Sequence, residues 1–173
     1  DTISELLDIR RKGDAARIKE NTLRSNGLHI DLEKMKKADY LLQNFALFVH
    51  LSSCENPLEE VLELADVYYD ELDKNKDLIR PVYSYADIES NRKAGLMSAM
   101  LTVEEGGVCK GNPAFLRTLY RLGVRMLTLT WNYPNELGRP NGQPGGLTRR
   151  GFQFLEEMEN LGMIPDVSHL SDD

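Results

Sequence analysis

Residues 96–132 read LMSAMLTVEEGGVCKGNPAFLRTLYRLGVRMLTLTWN, and this stretch decides the fold class. It opens with an apolar run, Leu96–Val103, that is uniform enough to suit a strand buried on both faces. A helix then starts at Asn112-Pro113, because proline fits the first helical position, and Gly123 ends it. A second apolar run, Val124–Thr130, comes directly after it. The stretch therefore predicts a strand–helix–strand unit, which is the building block of a parallel sheet.

The same alternation extends on both sides of this unit. Consecutive strands separated by helices indicate a parallel sheet with right-handed crossovers. Two architectures fit: an open doubly wound sheet and part of a (β/α)8 barrel. Only part of a barrel is considered because four strands cannot close one, and a complete barrel typically needs about 250 residues. The other predicted elements are a helix over 3–12, irregular chain over 14–30, a helical turn or two over 31–35, a strand over 41–51, helices over 57–74 and 85–94, a long loop over 131–147, a helix over 148–161 and a strand over 163–167.

Composition and charge exclude several classes of protein. The 173 residues carry 21 Lys+Arg and 28 Asp+Glu, a formal charge of −7 with no basic block, so a nucleic-acid partner is not expected. No apolar run approaches the roughly 20 residues of a membrane span, and the first residues show no signal-peptide pattern. Cys54 and Cys109 form neither a disulfide framework nor a zinc knuckle, and we expect a reducing, cytoplasmic compartment.

Polar side chains come after the predicted strands, at the edge where parallel α/β folds build their sites. Glu104 and Glu105 come after one strand, Trp131 and Asn132 after the next, and His169 after the last. A carboxylate and an imidazole suit Zn²⁺, Mn²⁺ or Fe²⁺. From these residues alone the hypothesis is a metal-dependent α/β hydrolase, and the alternatives are a solvated strand end and a hydrogen-bonded loop histidine.

Longer motifs make the interpretation more specific. They are Glu-Gly-Gly after a strand, Leu-Gly-Val-Arg-x-Leu-Thr-Leu-Thr over 122–130, and Gly-Met-Ile-x-Asp-Val-Ser-His over 162–169. Residues 1–6 are similar to the segment that follows a His-x-Asp motif. Together these motifs resemble the membrane (renal) dipeptidase family of zinc metallopeptidases, and the resemblance covers essentially the whole chain.

The resemblance implies a fold and an activity. The fold is a (β/α)8 barrel of the amidohydrolase type, of which residues 1–173 would form the N-terminal half of the single catalytic domain, with the remainder expected beyond residue 173. The activity is hydrolysis of dipeptides at a binuclear zinc centre, where a metal-activated hydroxide attacks the peptide carbonyl. The isolated half is expected to be inactive. Another amidohydrolase-type metal hydrolase and a non-catalytic scaffold without metals are the alternatives.

The resemblance also assigns roles to residues. Asp1 matches a ligand of the first zinc, Glu105 the carboxylate that bridges the two zinc ions, and His169 a ligand of the second zinc. Glu104 is the extra neighbour of Glu105, and the pleat of the strand is expected to turn it away. Trp131 and Asn132 stand where some members carry a substrate-contacting histidine, so they are the candidate substrate-binding residues. The expected partners are dipeptide substrates, and a homodimer is compatible with the sequence.

Overall fold

The computed structural model describes residues 1–173, which form seven α-helices and five β-strands. Two further 3-10 turns lie at Leu51–Ser53 and Gly106–Cys109. No helix is both long enough and apolar enough to span a bilayer. The regular elements are α1 Thr2–Lys12, α2 Ala15–Glu20, α3 Leu32–Lys37, β1 Leu42–Phe48, α4 Pro57–Lys74, β2 Ile79–Pro81, α5 Tyr85–Lys93, β3 Met97–Glu104, α6 Pro113–Arg121, β4 Val124–Thr128, α7 Arg149–Leu161 and β5 Ile164–Asp166.

The chain divides into two compact units, and β3 passes through both of them. Unit 1 comprises residues 1–47 and 62–101, and unit 2 comprises residues 48–61 and 102–173. Neighbouring strands of the sheet have the order β1-β3-β4-β5, and β2 pairs with β3. The predicted strands therefore lie side by side in chain order.

Unit 1 holds the first part of β3 between neighbours and covers it with α4. β2 runs parallel to β3, with Ile79 beside Met97. The ring of Tyr68 on α4 is fully buried, and its hydroxyl donates to the carbonyl oxygen of Ala99 at 3.1 Å. The Phe45 ring of β1 packs against Tyr68 with 5.8 Å between centroids. Burial of these large rings adds to the apolar core of unit 1.

Asp31 in unit 1 shows how a buried carboxylate starts a helix. It is the N-cap of α3 and is 2% exposed. Its oxygens accept from the backbone N–H of Lys34 at 2.7 Å and of Asn26 at 3.2 Å, and the Lys34 ammonium lies 2.8 Å away. Burial raises the pKa of Asp31, but these hydrogen bonds outweigh burial and hold the pKa below its usual range.

Replacing Asp31 by alanine is expected to lower the free energy of unfolding by about 2 kcal/mol near neutral pH. Because the pKa of Asp31 is lower in the folded chain than in the unfolded one, this stabilisation is present above the unfolded value and is lost as pH falls through the folded value. Urea unfolding at about pH 7 and about pH 3 measures the change. Asp14, the exposed N-cap of α2, is the matched control, and its replacement should cost about 0.5 kcal/mol.

Unit 2 contains the end of β3 together with β4, β5 and the helices α6 and α7. β4 and β5 are parallel, with Met126 beside Ile164 and Thr128 beside Asp166. The Thr148 hydroxyl caps α7 by accepting from the N–H of Gly151 at 3.1 Å. A Cβ on Gly151 would lie 2.1 Å from the backbone oxygen of Leu137, so only glycine lets the long loop lie against the start of α7.

The structure confirms the predicted mixed α/β order and the parallel pairing of β4 with β5. Two elements differ from the prediction. Residues 14–30 contain α2, which buries none of its residues and therefore has no apolar periodicity to reveal it. The short β2 was not predicted, because three residues are too few to produce an alternating pattern.

Candidate functional site

The candidate site lies in unit 2, at the carboxyl ends of the parallel strands. Glu104 is the last residue of β3, Thr128 of β4 and Asp166 of β5. The loop after β4 adds Trp131 and Asn132. Strand carboxyl ends are the edge at which α/β folds place reactive groups, so the polar residues predicted from sequence lie in the expected region of this unit.

Glu104 and His169 form the central pair. Oε1 of Glu104 lies 3.5 Å from Nε2 of His169, and the side chains are 24% and 32% exposed. On the other side of the ring, Nδ1 lies 3.2 Å from Oδ1 of Asn132. An amide oxygen only accepts, so Nδ1 donates to Asn132, and Nε2 is the ring nitrogen that faces the Glu104 carboxylate.

This pair fits a cation. A metal ion placed between a carboxylate oxygen and an imidazole nitrogen is attracted by both, and a proton on Nε2 takes the same place when no metal is bound. Burial raises the pKa of Glu104, His169 opposes the rise, and Asp166 adds to it. The donor set of one imidazole nitrogen and one carboxylate oxygen suits Zn²⁺. No three His, Cys, Asp or Glu side chains of the chain form a complete metal-binding cluster.

Asp166 is a second carboxylate at this edge, and its orientation is fixed. Its oxygens accept from the Thr128 hydroxyl at 2.7 Å, from the Ser168 N–H at 3.0 Å and from the Ser168 hydroxyl at 3.1 Å. Burial raises the pKa of Asp166, but these hydrogen bonds and nearby His169 outweigh burial and lower it. Asp166 therefore stays ionised and helps to hold the turn that leads to His169.

Glu105 lies in a different environment from Glu104. It is 1% exposed, and its carboxylate accepts from the N–H groups of Gly107 and Trp131, both at 3.0 Å, and from the Asn135 amide at 2.5 Å. Burial raises the pKa of Glu105, whereas the three donors lower it. Its φ of 145° lies in a region that side-chain-bearing residues rarely adopt.

An aromatic cluster lies beside the pair. The Trp131 ring packs against Phe48 at 4.8 Å, His50 at 5.3 Å and Tyr133 at 5.9 Å between centroids. The His169 ring lies 6.4 Å from Trp131. Trp131 thus presents an apolar wall next to a polar pair, an arrangement typical of small-molecule sites.

The structure brings together some of the predicted site residues. His169, Asn132 and Trp131 lie together in unit 2 as expected. Glu104 contacts His169, so the prediction that Glu104 turns away is wrong. Pleating does turn the two neighbouring glutamates in different directions, but pleating alone does not tell which of them faces the later strand ends.

Asp1 belongs to unit 1, and its convergence with Glu105 and His169 stays a prediction. Asp1 is exposed at the N-cap of α1. It lines a cleft of about 610 Å³ within unit 1, together with Thr2, His29 and Asn44. The metal-bridging role predicted for Glu105 likewise stays a prediction.

Sequence reasoning missed two residues of this region. Asn135 donates to Glu105, and its own Oδ1 accepts from the N–H groups of Leu137 and Gly138. The only sequence signal was its place in a loop rich in Pro, Gly and Asn. His50, two residues after β1, packs against Trp131 and Tyr133.

Comparison with known proteins shows the family of this chain. The model of the membrane dipeptidase family (peptidase family M19) matches residues 3–173. An uncharacterized dipeptidase of Schizosaccharomyces pombe is 32% identical over 168 residues, which covers 84% of this chain and 40% of the relative. Dipeptidase verJ of Clonostachys rogersoniana is 27% identical over 118 residues, which covers 66% of this chain and 30% of the relative. The chain thus spans less than half the length of these relatives.

Solved structures share the fold. A metallo peptidase from Rhodobacter sphaeroides, liganded with a phosphinate mimic of the dipeptide L-Ala-D-Ala, is 20% identical with a TM-score of 0.83 and covers 99% of this chain and 57% of that one. The dipeptidase AC, a metallo peptidase, is 22% identical with a TM-score of 0.85 and covers 99% of this chain and 55% of that one. These likenesses confirm the predicted fold class, the N-terminal portion of a (β/α)8 barrel.

Proposed function

Because the chain belongs to the membrane dipeptidase family, we propose that the whole protein is a metallopeptidase that hydrolyses the peptide bond of dipeptides. The observation that supports this most directly is the pairing of Glu104 with His169 at the carboxyl ends of the strands. A carboxylate and an imidazole nitrogen that face each other, with a second carboxylate at Asp166 nearby, form an environment that favours a divalent cation.

We propose zinc as that cation, in a binuclear centre. Glu104 and His169 would hold metal through Oε1 and Nε2, and the role of Asp1 as a zinc ligand stays a prediction. The remaining ligands and the groups that grip the substrate would come from residues outside 1–173. When bound, zinc would lower the pKa of a water molecule far below its value in bulk water, toward about 7, which would make hydroxide available as the nucleophile near neutral pH, and it would polarise the peptide carbonyl.

The residues of this chain support that chemistry by orienting the ligands and shaping the site. Asn132 accepts from Nδ1 of His169, which keeps Nε2 free as a metal ligand. Asp166 holds the turn before His169 through its bonds to Ser168. Trp131 supplies a flat apolar surface against which a dipeptide side chain would pack.

Removal of metal is expected to abolish dipeptide hydrolysis by the whole protein. The measurement is the rate of release of free amino acids before and after chelation, and then after addition of Zn²⁺. We expect the rate to fall to background and to return with zinc, because hydroxide is scarce near neutral pH without a metal. The chain of residues 1–173 alone should remain inactive with zinc present, since it supplies only part of the ligand set.

Other outcomes would contradict the proposal. A rate that survives complete removal of metal would exclude metal-dependent hydrolysis. Preference for cyclic amides over dipeptides would identify another amidohydrolase-type enzyme. A whole protein that binds no zinc and hydrolyses neither substrate would be a scaffold. The cytoplasmic location and the homodimer stay predictions.

A further inference from the structure

We propose that the two adjacent glutamates divide their roles: Glu104 is the carboxylate that faces the metal, and Glu105 is a positioning residue that anchors the loop of residues 129–138. This inference rests on the proposed function, since it assumes a metal at the strand ends. It also differs from the expectation drawn from the Glu-Gly-Gly motif, which placed Glu105 between the two metals.

The hydrogen bonds of Glu105 are the first reason. A carboxylate offers about four acceptor positions, and at Glu105 three hydrogen-bond donors occupy three of them. Gly107 and Asn135 donate to Oε1, and the Trp131 N–H donates to Oε2. A metal ion at Oε1 would have to displace the Gly107 N–H or the Asn135 amide, and the buried Gly107 N–H would then lose its acceptor.

The backbone at Glu105 is the second reason. A φ of 145° at a residue with a side chain persists only where the surroundings over-determine it. The next residue is held equally tightly, since a Cβ on Gly106 would lie 2.8 Å from the Leu129 oxygen and 2.9 Å from the Thr128 oxygen. The turn after β3 is thus wedged against the end of β4, and Glu105 cannot swing outward without breaking these contacts.

The loop that Glu105 holds also contacts His169, through Asn132. Asn135 donates to both Glu105 and the carbonyl oxygen of Leu129, which closes residues 129–135 into a compact loop. The Trp131 N–H is fixed by Glu105, and the next residue, Asn132, contacts His169. Glu105 therefore acts on the site through the placement of Trp131 and Asn132.

Glu104 has the opposite character. No hydrogen-bond donor holds the Glu104 carboxylate, which faces Nε2 of His169 at 3.5 Å, and the side chain is 24% exposed. A carboxylate that is partly open and faces an imidazole nitrogen is free to bind a metal without losing other partners. The alternative, in which Glu104 is only a solvated strand end, does not fit, because Oε1 of Glu104 lies 3.5 Å from Nε2 of His169.

The test compares Glu104→Gln, Glu105→Gln and Asn135→Ala in the whole protein. Zinc content after dialysis measures whether a side chain is a metal ligand. The fluorescence emission of Trp131 measures whether the loop of residues 129–138 keeps its position. Subtracting the spectrum of the matched Trp131→Phe protein isolates that emission. We expect Glu104→Gln to lose at least half of its zinc with unchanged Trp131 emission. We expect the other two variants to keep their zinc and to shift Trp131 emission to longer wavelength.

Loss of zinc in Glu105→Gln, or full zinc in Glu104→Gln, would overturn the proposal. So would unchanged Trp131 emission in both Glu105→Gln and Asn135→Ala. If Glu105→Gln fails to fold, Asn135→Ala still decides the positioning role, because it removes one donor and leaves the carboxylate in place. A wild-type protein without zinc would refute the proposed function, whereas the emission spectra would still test the loop.

Discussion

Glu104→Gln in the whole protein is expected to lower kcat/KM for dipeptide hydrolysis by about a thousandfold or more while the fold stays intact. The amide has nearly the same size as the carboxylate but carries no charge, and its nitrogen is a poor ligand for a hard or borderline cation. Metal assistance contributes several kcal/mol to the chemical step, and each factor of ten in rate corresponds to about 1.4 kcal/mol. Steady-state kinetics measures the loss, and circular dichroism checks the fold.

The control for this prediction is Glu159→Gln, which makes the same chemical change on the exposed surface of α7 and should leave kcat/KM within about twofold. An inactive Glu105→Gln beside a fully active Glu104→Gln would support the expectation from the Glu-Gly-Gly motif. Full activity in both variants would refute the dipeptidase mechanism at this strand end.

Glu71→Ala is expected to lower the free energy of unfolding by about 3 kcal/mol, the lower end of the range for breaking a buried ion pair. Glu71 is 2% exposed and accepts from the Arg10 guanidinium at 2.5 Å and from the Leu23 N–H at 2.7 Å. Its removal leaves the buried Leu23 N–H without an acceptor. Asp70 keeps a 2.6 Å contact with Arg10, which limits the loss. Urea unfolding monitored by circular dichroism measures the change.

A matched control lies on the same two helices. Glu63 on α4 pairs with Arg11 on α1 at 2.8 Å, but the two side chains are 58% and 41% exposed. Exposed ion pairs of this kind contribute at most about 1 kcal/mol because water and salt screen them. Glu63→Ala should therefore change stability by less than that amount. Equal losses in the two variants would mean that burial of Glu71 is not what stabilises unit 1.

Much of the fold was accessible from local patterns. Pro57 and Pro113 begin helices where predicted, and Gly162 ends α7 in a left-handed conformation with φ of 72°. The apolar run before Glu104 is a strand that is buried along nearly its whole length. β5 differs, because Ile164 is 50% exposed although it is a large apolar residue within a strand. Burial depends on what packs against a strand, which the strand's own residues do not record.

Local sequence patterns predict the order of strands and helices, because caps, breakers and apolar periodicity act over only a few residues. They also predict that Glu104, Glu105 and His169 lie at strand ends. The contact of Glu104 with His169 and the hydrogen bonds of Glu105 to the loop of residues 129–138 become visible only in the folded chain. Glu105 contacts Trp131 and Asn135, which follow it by 26 and 30 positions in the chain. Glu104 contacts His169, which comes after β5 in the chain. Over such separations a side chain's direction is set by the twist and register of neighbouring strands, which no short stretch of sequence specifies.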